Sequence, residues 1–154
     1  MDKPNSIPWP PLLFGVAIII AWLLQRNTPL PWITGIIADL AFMLGLILVV
    51  AALFIDVRTF LELRKHKTTI LPTKGASHLV TSGPFSFSRN PIYLSNTMLT
   101  FGLGFALSNP WFFATGLLAA IATNHLAIKS EEKHLAAKFG SEWRKYSKRV
   151  RRWI

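Results

Sequence analysis

Long uncharged stretches constrain the fold of this chain more than any other feature. Residues 11–24 and 90–128 contain no Asp, Glu, Lys or Arg, and residues 32–55 contain only Asp39. Ser108-Asn109-Pro110 interrupts the longest of these stretches. A helix needs about 20 mostly apolar residues to cross a hydrocarbon core of about 30 Å. We therefore predict an all-α integral membrane protein with about four transmembrane helices, at residues 9–25, 32–57, 91–108 and 110–129.

The first predicted helix is not expected to be a cleaved signal peptide, because it lacks a charged n-region and a small-residue cleavage site. Four crossings would place both termini and the 58–90 connection on one side of the membrane. That side then carries 16 of the 17 Lys and Arg residues, and only Arg26 lies on the other. The positive-inside rule makes the basic side cytoplasmic, most simply at the plasma (inner) membrane. Basic residues next to helix ends favour anionic membrane lipids as partners over nucleic acid.

Outside the apolar stretches the sequence predicts one long loop and one amphipathic helix. The second helix is expected to continue into the cytosol as DVRTFLELRKHK, and residues 68–87 are expected to form a loop. Pro91 suits the first position of the third helix. In the C-terminal helix the apolar residues recur every three or four positions (Leu135, Phe139, Trp143, Tyr146 and Val150), which is typical of a helix on the membrane surface. We divide the chain into N-terminal helices, residues 1–67, and a catalytic half, residues 68–154.

Several polar residues fall inside or next to the predicted membrane helices, where such residues usually face the bundle interior. One set lies on one face of the third helix (Tyr93, Asn96, Thr97 and Thr100), followed by Gly102 and Gly104, and helix packing explains it equally well. A second set shares a face of the fourth helix and its continuation (His125, Lys129 and Glu132), with Asn124 and Glu131 on a neighbouring line. The adjacent acids, Glu131 and Glu132, could be a solvated pair or could hold a polar ligand. Asp39 is not expected to be catalytic, and Asp56 is expected to pair locally with Arg58 or Arg64.

Four short motifs occur in a characteristic order over residues 68–150. They are Gly83-Pro84-Phe85, Arg89-Asn90-Pro91-Ile92-Tyr93, Glu131-Glu132, and Phe139-Gly140-Ser141-Glu142-Trp143-Arg144-Lys145-Tyr146. In this combination the chain resembles the integral-membrane isoprenylcysteine carboxyl methyltransferase and phospholipid methyltransferase family. One position departs from the family pattern, because Asn90 stands where Arg-His-Pro has a histidine. An asparagine does not titrate near neutral pH, but it can donate and accept hydrogen bonds, which favours a ligand-holding role there.

The resemblance implies S-adenosylmethionine as cofactor and a lipophilic methyl acceptor, either an isoprenylcysteine-type carboxylate or related small amphiphile, or alternatively a phospholipid amine. It implies catalytic roles for three residues, Arg89, Asn90 and Tyr93. The implied cofactor-binding residues are Leu79, Gly83, Phe85, Asn90, Pro91, Tyr93, His125, Glu131 and Glu132. Glu131 and Glu132 would anchor the polar ends of the cofactor, and Arg89 would bind the cofactor carboxylate or an acidic acceptor.

Two other classes of protein remain open: an NADPH-dependent membrane reductase and a non-enzymatic membrane scaffold. The chain has no cysteine, and its four histidines lack the HxxxH and HExxH spacings, so no metal site is predicted. The sequence leaves the oligomeric state undetermined.

Overall fold

The computed structural model of this protein describes residues 9–67 and 78–154. Residues 1–8 and half of the predicted loop, residues 68–77, lie outside the described residues. The described part is helical and contains no strand. Its five α-helices are α1 (Trp9–Asn27), α2 (Ile36–Lys65), α3 (Pro91–Ala106), α4 (Trp111–Thr123) and α5 (Lys129–Arg149), with a 3₁₀ turn at Gly83–Ser86 and a π turn at Asn124–Ile128.

Within residues 9–67 and 78–154, three helical segments are long and apolar enough to cross a membrane: Trp9–Asn27, Ile36–Lys65 and the continuous run Trp111–Arg149. The third predicted span, residues 91–108, forms as α3, but its 16 residues rise only about 24 Å at 1.5 Å per residue, so it is the short member of the bundle. Large apolar side chains on α1 and α2 point outward, as lipid-facing surfaces require. The chain is an all-α integral membrane protein.

The helices pack in antiparallel order around α3 and α4. Asn109, in the tight connection between α3 and α4, donates to the carbonyl of Ala21 near the end of α1 at 3.2 Å. Ser95 near the start of α3 donates to Asp56 in the second half of α2. As a result, the end of α2, the start of α3 and the end of α4 lie together. We call this end of the bundle the site end.

Close backbone approach between α2 and α3 depends on two glycines. A Cβ built on Gly45 would lie 2.7 Å from the backbone nitrogen of Ala106, and one built on Gly102 would lie 3.0 Å from the carbonyl oxygen of Gly45. Small residues at such contacts allow the dispersion packing on which membrane helices depend. The hydroxyls of Thr97 and Thr100 donate to carbonyls one turn earlier in α3 itself, at 2.9 and 2.8 Å. The packing interpretation therefore holds for the glycines, whereas these two threonines form no hydrogen bond between helices.

Asp39 and Asp56, the two aspartates within the second predicted span, lie in different environments. Asp39 lies exposed in the first turn of α2, where the helix dipole favours a negative charge. The predicted local pair of Asp56 with Arg58 or Arg64 is wrong, because the carboxylate accepts the hydroxyl of Ser95 instead. Both arginines are exposed on α2, whereas Ser95 is buried on the adjacent helix and already faces the carboxylate.

The C-terminal helix is bent rather than straight. Gly140 within α5 has φ 49° and ψ −112°, a backbone conformation that glycine adopts more readily than other residues. After the bend, Trp143, Tyr146 and Val150 form a buried cluster. The expectation that this apolar face rests on the membrane is wrong for Trp143 and Tyr146, which are 6% and 4% exposed, because they pack on the protein's own 78–87 segment and on the earlier part of α5.

Candidate active site

Three segments of residues 78–154 meet at the site end. They are the turn before α3 with the first residues of that helix (residues 88–93), the π turn with the start of α5 (residues 124–132), and the chain after the bend of α5 (residues 143–152). Each segment contributes polar side chains to the same small region.

Asn90 occupies the N-cap position of α3, and Pro91 fills the first helical position. The Asn90 side chain makes no capping bond to the helix. Its amide nitrogen donates instead to the carbonyl oxygen of Arg152 at 2.9 Å. The Asn90 backbone N–H donates to the hydroxyl of buried Ser88 at 3.2 Å. These two bonds connect the start of α3 to the C-terminal segment and to Ser88.

Glu132 lies between two guanidinium groups. Its Oε1 is 3.3 Å from Nη2 of Arg89. Arg152 approaches in bidentate fashion, donating from Nε to Oε1 at 3.1 Å and from Nη2 to Oε2 at 2.6 Å. The hydrogen bond with Glu132 raises the pKa of the Arg152 guanidinium above its ordinary value. Paired geometry of this kind holds a carboxylate in one orientation.

Glu131 has a different partner from its neighbour. The phenolic hydroxyl of Tyr93, a buried residue on the first turn of α3, donates to Glu131 Oε2 at 3.0 Å. The two adjacent carboxylates therefore contact opposite sides of the 89–93 segment: Glu132 contacts Arg89 and Glu131 contacts Tyr93. The structure thus places two of the three predicted catalytic residues, Arg89 and Tyr93, in direct contact with the twin glutamates, whereas Asn90 contacts Arg152.

The aromatic ring of Trp143 lies next to the guanidinium of Arg89. The guanidinium carbon is 5.5 Å from the centroid of the Trp143 ring, a distance at which a cation is attracted to the ring face. The Tyr146 hydroxyl donates to the carbonyl of Phe85 at 2.8 Å. Leu79 and Phe85 pack against the same cluster. These contacts place two predicted cofactor-binding residues, Leu79 and Phe85, against the cluster that includes Trp143, the ring that Arg89 approaches.

Arg89 also carries an unsatisfied donor. Its Nε is buried and finds no hydrogen-bond acceptor within residues 9–67 and 78–154. Buried polar atoms without partners are uncommon, and each one calls for an explanation. The Arg89 side chain is only 14% exposed, so an acceptor on a bound molecule would satisfy this donor.

Gly83 opens the 3₁₀ turn with φ +60°, and a Cβ there would lie 3.1 Å from the side chain of Glu62. Glu62 on α2 accepts the hydroxyl of Ser82 at 2.5 Å, and its carboxylate lies 3.2 Å from the His66 ring. Gly83 thus lets the turn lie against the end of α2. The contact is structural support for the 83–89 segment, which carries Arg89.

His125 does not join the group around Arg89. Its side chain is exposed and its Nδ1 lies 3.3 Å from Nζ of Lys129. In an ideal α-helix two turns take 7.2 residues, which predicts that His125 shares a face with Glu132. The π turn adds one residue, so positions eight apart align instead. Asn124 is the residue that joins Glu132, and Arg152 Nη1 donates to its Oδ1 at 3.2 Å.

Sequence reasoning missed Arg152, Asn124 and Ser88. Arg152 is one of six basic residues within the last eleven positions of the chain, so no local pattern separates it from membrane-facing lysines and arginines. Regular α-helical periodicity puts Asn124 on a line beside Glu132 rather than in contact with it, because that periodicity omits the π turn. A Ser-x-Asn-Pro pattern is the available signal for Ser88, since serine side chains commonly bond a backbone N–H two residues later.

A comparison with known protein families identifies the class of protein. The family model described as phospholipid methyltransferase matches residues 40–142. The fold and this match define an integral membrane protein related to methyltransferases. The chain belongs to the phospholipid methyltransferase family, and the membrane methyltransferase resemblance predicted from the sequence is confirmed.

Two curated relatives cover smaller parts of the chain. Over 75 residues, 49% of this chain and 35% of the relative, the sequence is 34% identical to the nickel-cobalt-cadmium resistance protein NccN of Alcaligenes xylosoxydans xylosoxydans. Over 63 residues, 41% of this chain and 100% of the relative, it is 32% identical to an uncharacterized protein of Haemophilus influenzae. The chain thus spans about a third of the length of the NccN protein. No solved structure matches the chain.

Proposed function

We propose that this protein transfers a methyl group from S-adenosylmethionine to a lipophilic acceptor at the site end of the bundle. The observation that carries the proposal is the pair of contacts Arg89–Glu132 at 3.3 Å and Tyr93–Glu131 at 3.0 Å. These contacts unite the Arg-Asn-Pro-x-Tyr turn with the twin glutamates where membrane helices end. A water-soluble donor and a membrane-dissolved acceptor can meet only at such a boundary.

The residues present suit the chemical groups of S-adenosylmethionine. The cofactor carries a carboxylate, an ammonium group, ribose hydroxyls and an aromatic base. Glu131 and Glu132 are acceptors for the ammonium and hydroxyl groups, and the unpartnered Nε of Arg89 is a donor for a carboxylate. Asn90, Pro91, Gly83, Phe85 and Leu79 are proposed to line the remainder of the cofactor site. His125, exposed beside Lys129, would contribute only at the edge of that site.

The bound cofactor supplies an electrophilic methyl group on a sulfonium, and the protein's part is to align the acceptor and exclude water. Arg89 is proposed to hold an anionic group, while the Trp143 ring, with its centroid 5.5 Å away, attracts the guanidinium and helps to hold it in place. Tyr93 and Asn90 are proposed to fix the start of α3 beside the reacting groups. Positive charge disperses as the methyl group moves, so a weakly polar, water-poor cavity favours transfer.

Two acceptor classes follow from different observations. The family description favours an aminophospholipid. If the buried Nε of Arg89, which has no acceptor within the described residues, binds the acceptor in place of the cofactor carboxylate, it favours a carboxylate such as that of an isoprenylcysteine or another small amphiphile. We propose the carboxylate acceptor as the first candidate and the phospholipid amine as the second. The charge asymmetry of the chain supports a cytoplasmic site end in the plasma (inner) membrane.

Titration of the purified full-length protein in lipid nanodiscs tests the cofactor. Calorimetry with S-adenosylmethionine, its demethylated product S-adenosylhomocysteine, and NADPH as separate ligands should give heat with the first two only. Heat with NADPH alone would replace the proposal with the reductase hypothesis. If none of the three ligands gave a heat of binding, the scaffold hypothesis would remain. Lipid extracts incubated with isotope-labelled donor and read by mass spectrometry would then distinguish a labelled ester from a labelled amine.

A further inference from the structure

We propose that Arg152 is a positioning residue of the methyl-transfer site, and that the last residues of the chain fasten the two halves of that site together. The inference rests on the proposed function, because it concerns the same Glu132 and Arg89. It goes beyond that function by assigning a role to a C-terminal segment that lies outside the matched family region, residues 40–142.

The side chain of Arg152 uses three of its donors on the end of α4 and the start of α5. Two N–H groups bind the Glu132 carboxylate at 2.6 and 3.1 Å, and a third binds Asn124 Oδ1 at 3.2 Å. The planar guanidinium therefore spans the π turn, from the residue that begins it to the start of α5. A lysine could occupy the same place but could not reproduce this fork.

The backbone of the same segment binds the turn that precedes α3. The Arg152 carbonyl accepts from the Asn90 amide at 2.9 Å and from the Ser88 hydroxyl at 3.5 Å. The Arg151 carbonyl accepts the backbone N–H of Arg89 at 3.0 Å. Arg152 thus contacts the 88–90 turn through its main chain and Glu132 through its side chain, and this links the two elements of the proposed cofactor site.

The hydrogen-bonding capacity of Glu132 explains why this link matters for a ligand. A carboxylate has about four acceptor positions; here Arg152 donates one hydrogen bond to each oxygen of Glu132, and Nη2 of Arg89 forms an ion pair with Oε1 at 3.3 Å. With both oxygens held, the remaining position on Oε2 points in a fixed direction. A donor group of a bound cofactor would therefore meet an acceptor that needs no reorientation.

If Arg152 had a purely structural role, removing its guanidinium would mainly lower the stability of the protein. The Arg152 side chain is 34% exposed, and ion pairs that reach solvent contribute little to stability. The apolar cluster of Trp143, Tyr146 and Val150 already holds this part of the chain. Removing the guanidinium should therefore change ligand affinity far more than the unfolding temperature.

The test compares full-length variants in nanodiscs, with S-adenosylhomocysteine as the probe. Arg152→Gln should weaken its binding at least tenfold and raise the KM for the donor more than it lowers kcat. Arg152→Lys should recover part of the affinity. Arg151→Gln is the matched control, because its exposed side chain leaves the backbone contact intact, and it should bind as the wild type does.

A double-variant cycle distinguishes an effect of Arg152 that acts through Glu132 from a general loss of structure. Arg152→Gln added to Glu132→Gln should cost no further affinity if Arg152 acts through that carboxylate. Affinity in Arg152→Gln equal to that of Arg151→Gln, or tighter than wild type, would overturn the inference. If Arg152→Gln fails to fold, Arg152→Lys supplies the same comparison. A wild-type protein that binds neither S-adenosylmethionine nor the probe would instead overturn the proposed function.

Discussion

The guanidinium of Arg89 lies 3.3 Å from the carboxylate of Glu132, which joins the turn before α3 to the first turn of α5. Between these two residues the chain runs up α3, reverses at residues 107–110 and returns through α4. A contact across this path exists only if the α3–α4 hairpin brings its two ends together. The contact therefore depends on the membrane fold, and the proposed cofactor site depends on the contact.

Arg89→Lys should abolish most turnover while the protein still folds. Lysine keeps the positive charge but loses the planar fork, the orphaned Nε donor and the flat contact with Trp143. Methyl transfer measured with labelled donor and a lipid extract should fall at least tenfold. Arg144→Lys, an exposed position on α5, is the control and should remain active. A fully active Arg89→Lys protein would reduce Arg89 to an interfacial anchor.

Glu132→Gln should weaken S-adenosylhomocysteine binding by about 1.4 kcal/mol or more, which is tenfold in Kd. The amide keeps the size of the carboxylate but cannot pair with two guanidiniums, so Arg89 and Arg152 both lose a charged partner. Glu131→Gln should also weaken binding, because it replaces the oxygens that receive the Tyr93 hydroxyl. Calorimetry measures both, with exposed Glu142→Gln as the control. Unchanged affinity in both variants would remove the glutamates from the site.

Hydropathy alone located the bundle, because crossing a membrane demands apolar length and leaves few alternatives. The preference of proline for the first helical position identified Pro91 as the start of α3, and the interruption at residues 108–110 separated the third span from the fourth; both are confirmed. Gly45 was not singled out, since its role depends on the helix that crosses it. A glycine within an apolar run gives no sign of which neighbour approaches its backbone.

The candidate site was only partly accessible to sequence reasoning. The short motifs identified Arg89, Tyr93 and the glutamates, and the structure brings these residues together. The face assignment of His125 failed for a geometric reason, since one extra residue in the π turn rotates everything after it. The Arg152 contacts are set by the bend at Gly140 and by the fold of the 78–90 segment. Neither has a periodic pattern in the sequence.

Gly102→Ala should destabilise the bundle by roughly 1–3 kcal/mol, the usual cost of overpacking. The new methyl group would lie 2.9 Å from Val49 Cγ2 and 3.0 Å from the Gly45 carbonyl, and backbone atoms cannot move aside as a flexible side chain can. Thermal unfolding in detergent measures the loss. Gly15→Ala is a matched control in α1, since no atom lies within 4 Å of the position that its new methyl group would take. Equal unfolding temperatures for the two variants would contradict the close helix crossing.

Gly140→Ala tests the bend in α5 without introducing a clash. No atom lies within 4 Å of the added methyl group, but φ is +49° there, a conformation that costs an alanine about 1–2 kcal/mol. The Trp143–Tyr146–Val150 cluster should pack less firmly against the 78–87 segment, and limited proteolysis should cut the C-terminal segment faster than in wild type. Gly15→Ala again controls for the substitution itself. If the rate of proteolysis and the unfolding temperature were unchanged, the bend would not be needed to pack the cluster against the 78–87 segment.

Asn90→Asp should disconnect the C-terminal segment from the turn before α3. The substitution keeps the shape of the side chain but replaces the amide donor with a carboxylate oxygen, which repels the Arg152 carbonyl 2.9 Å away. Because Asn90 is buried, the new charge would also lose hydration. Asn90→His restores a ring N–H donor, so it should keep more S-adenosylhomocysteine affinity than the aspartate variant does. Calorimetry on both variants decides the point: equal loss would assign the effect to volume, whereas retained binding in Asn90→Asp would show that the donor to Arg152 is dispensable.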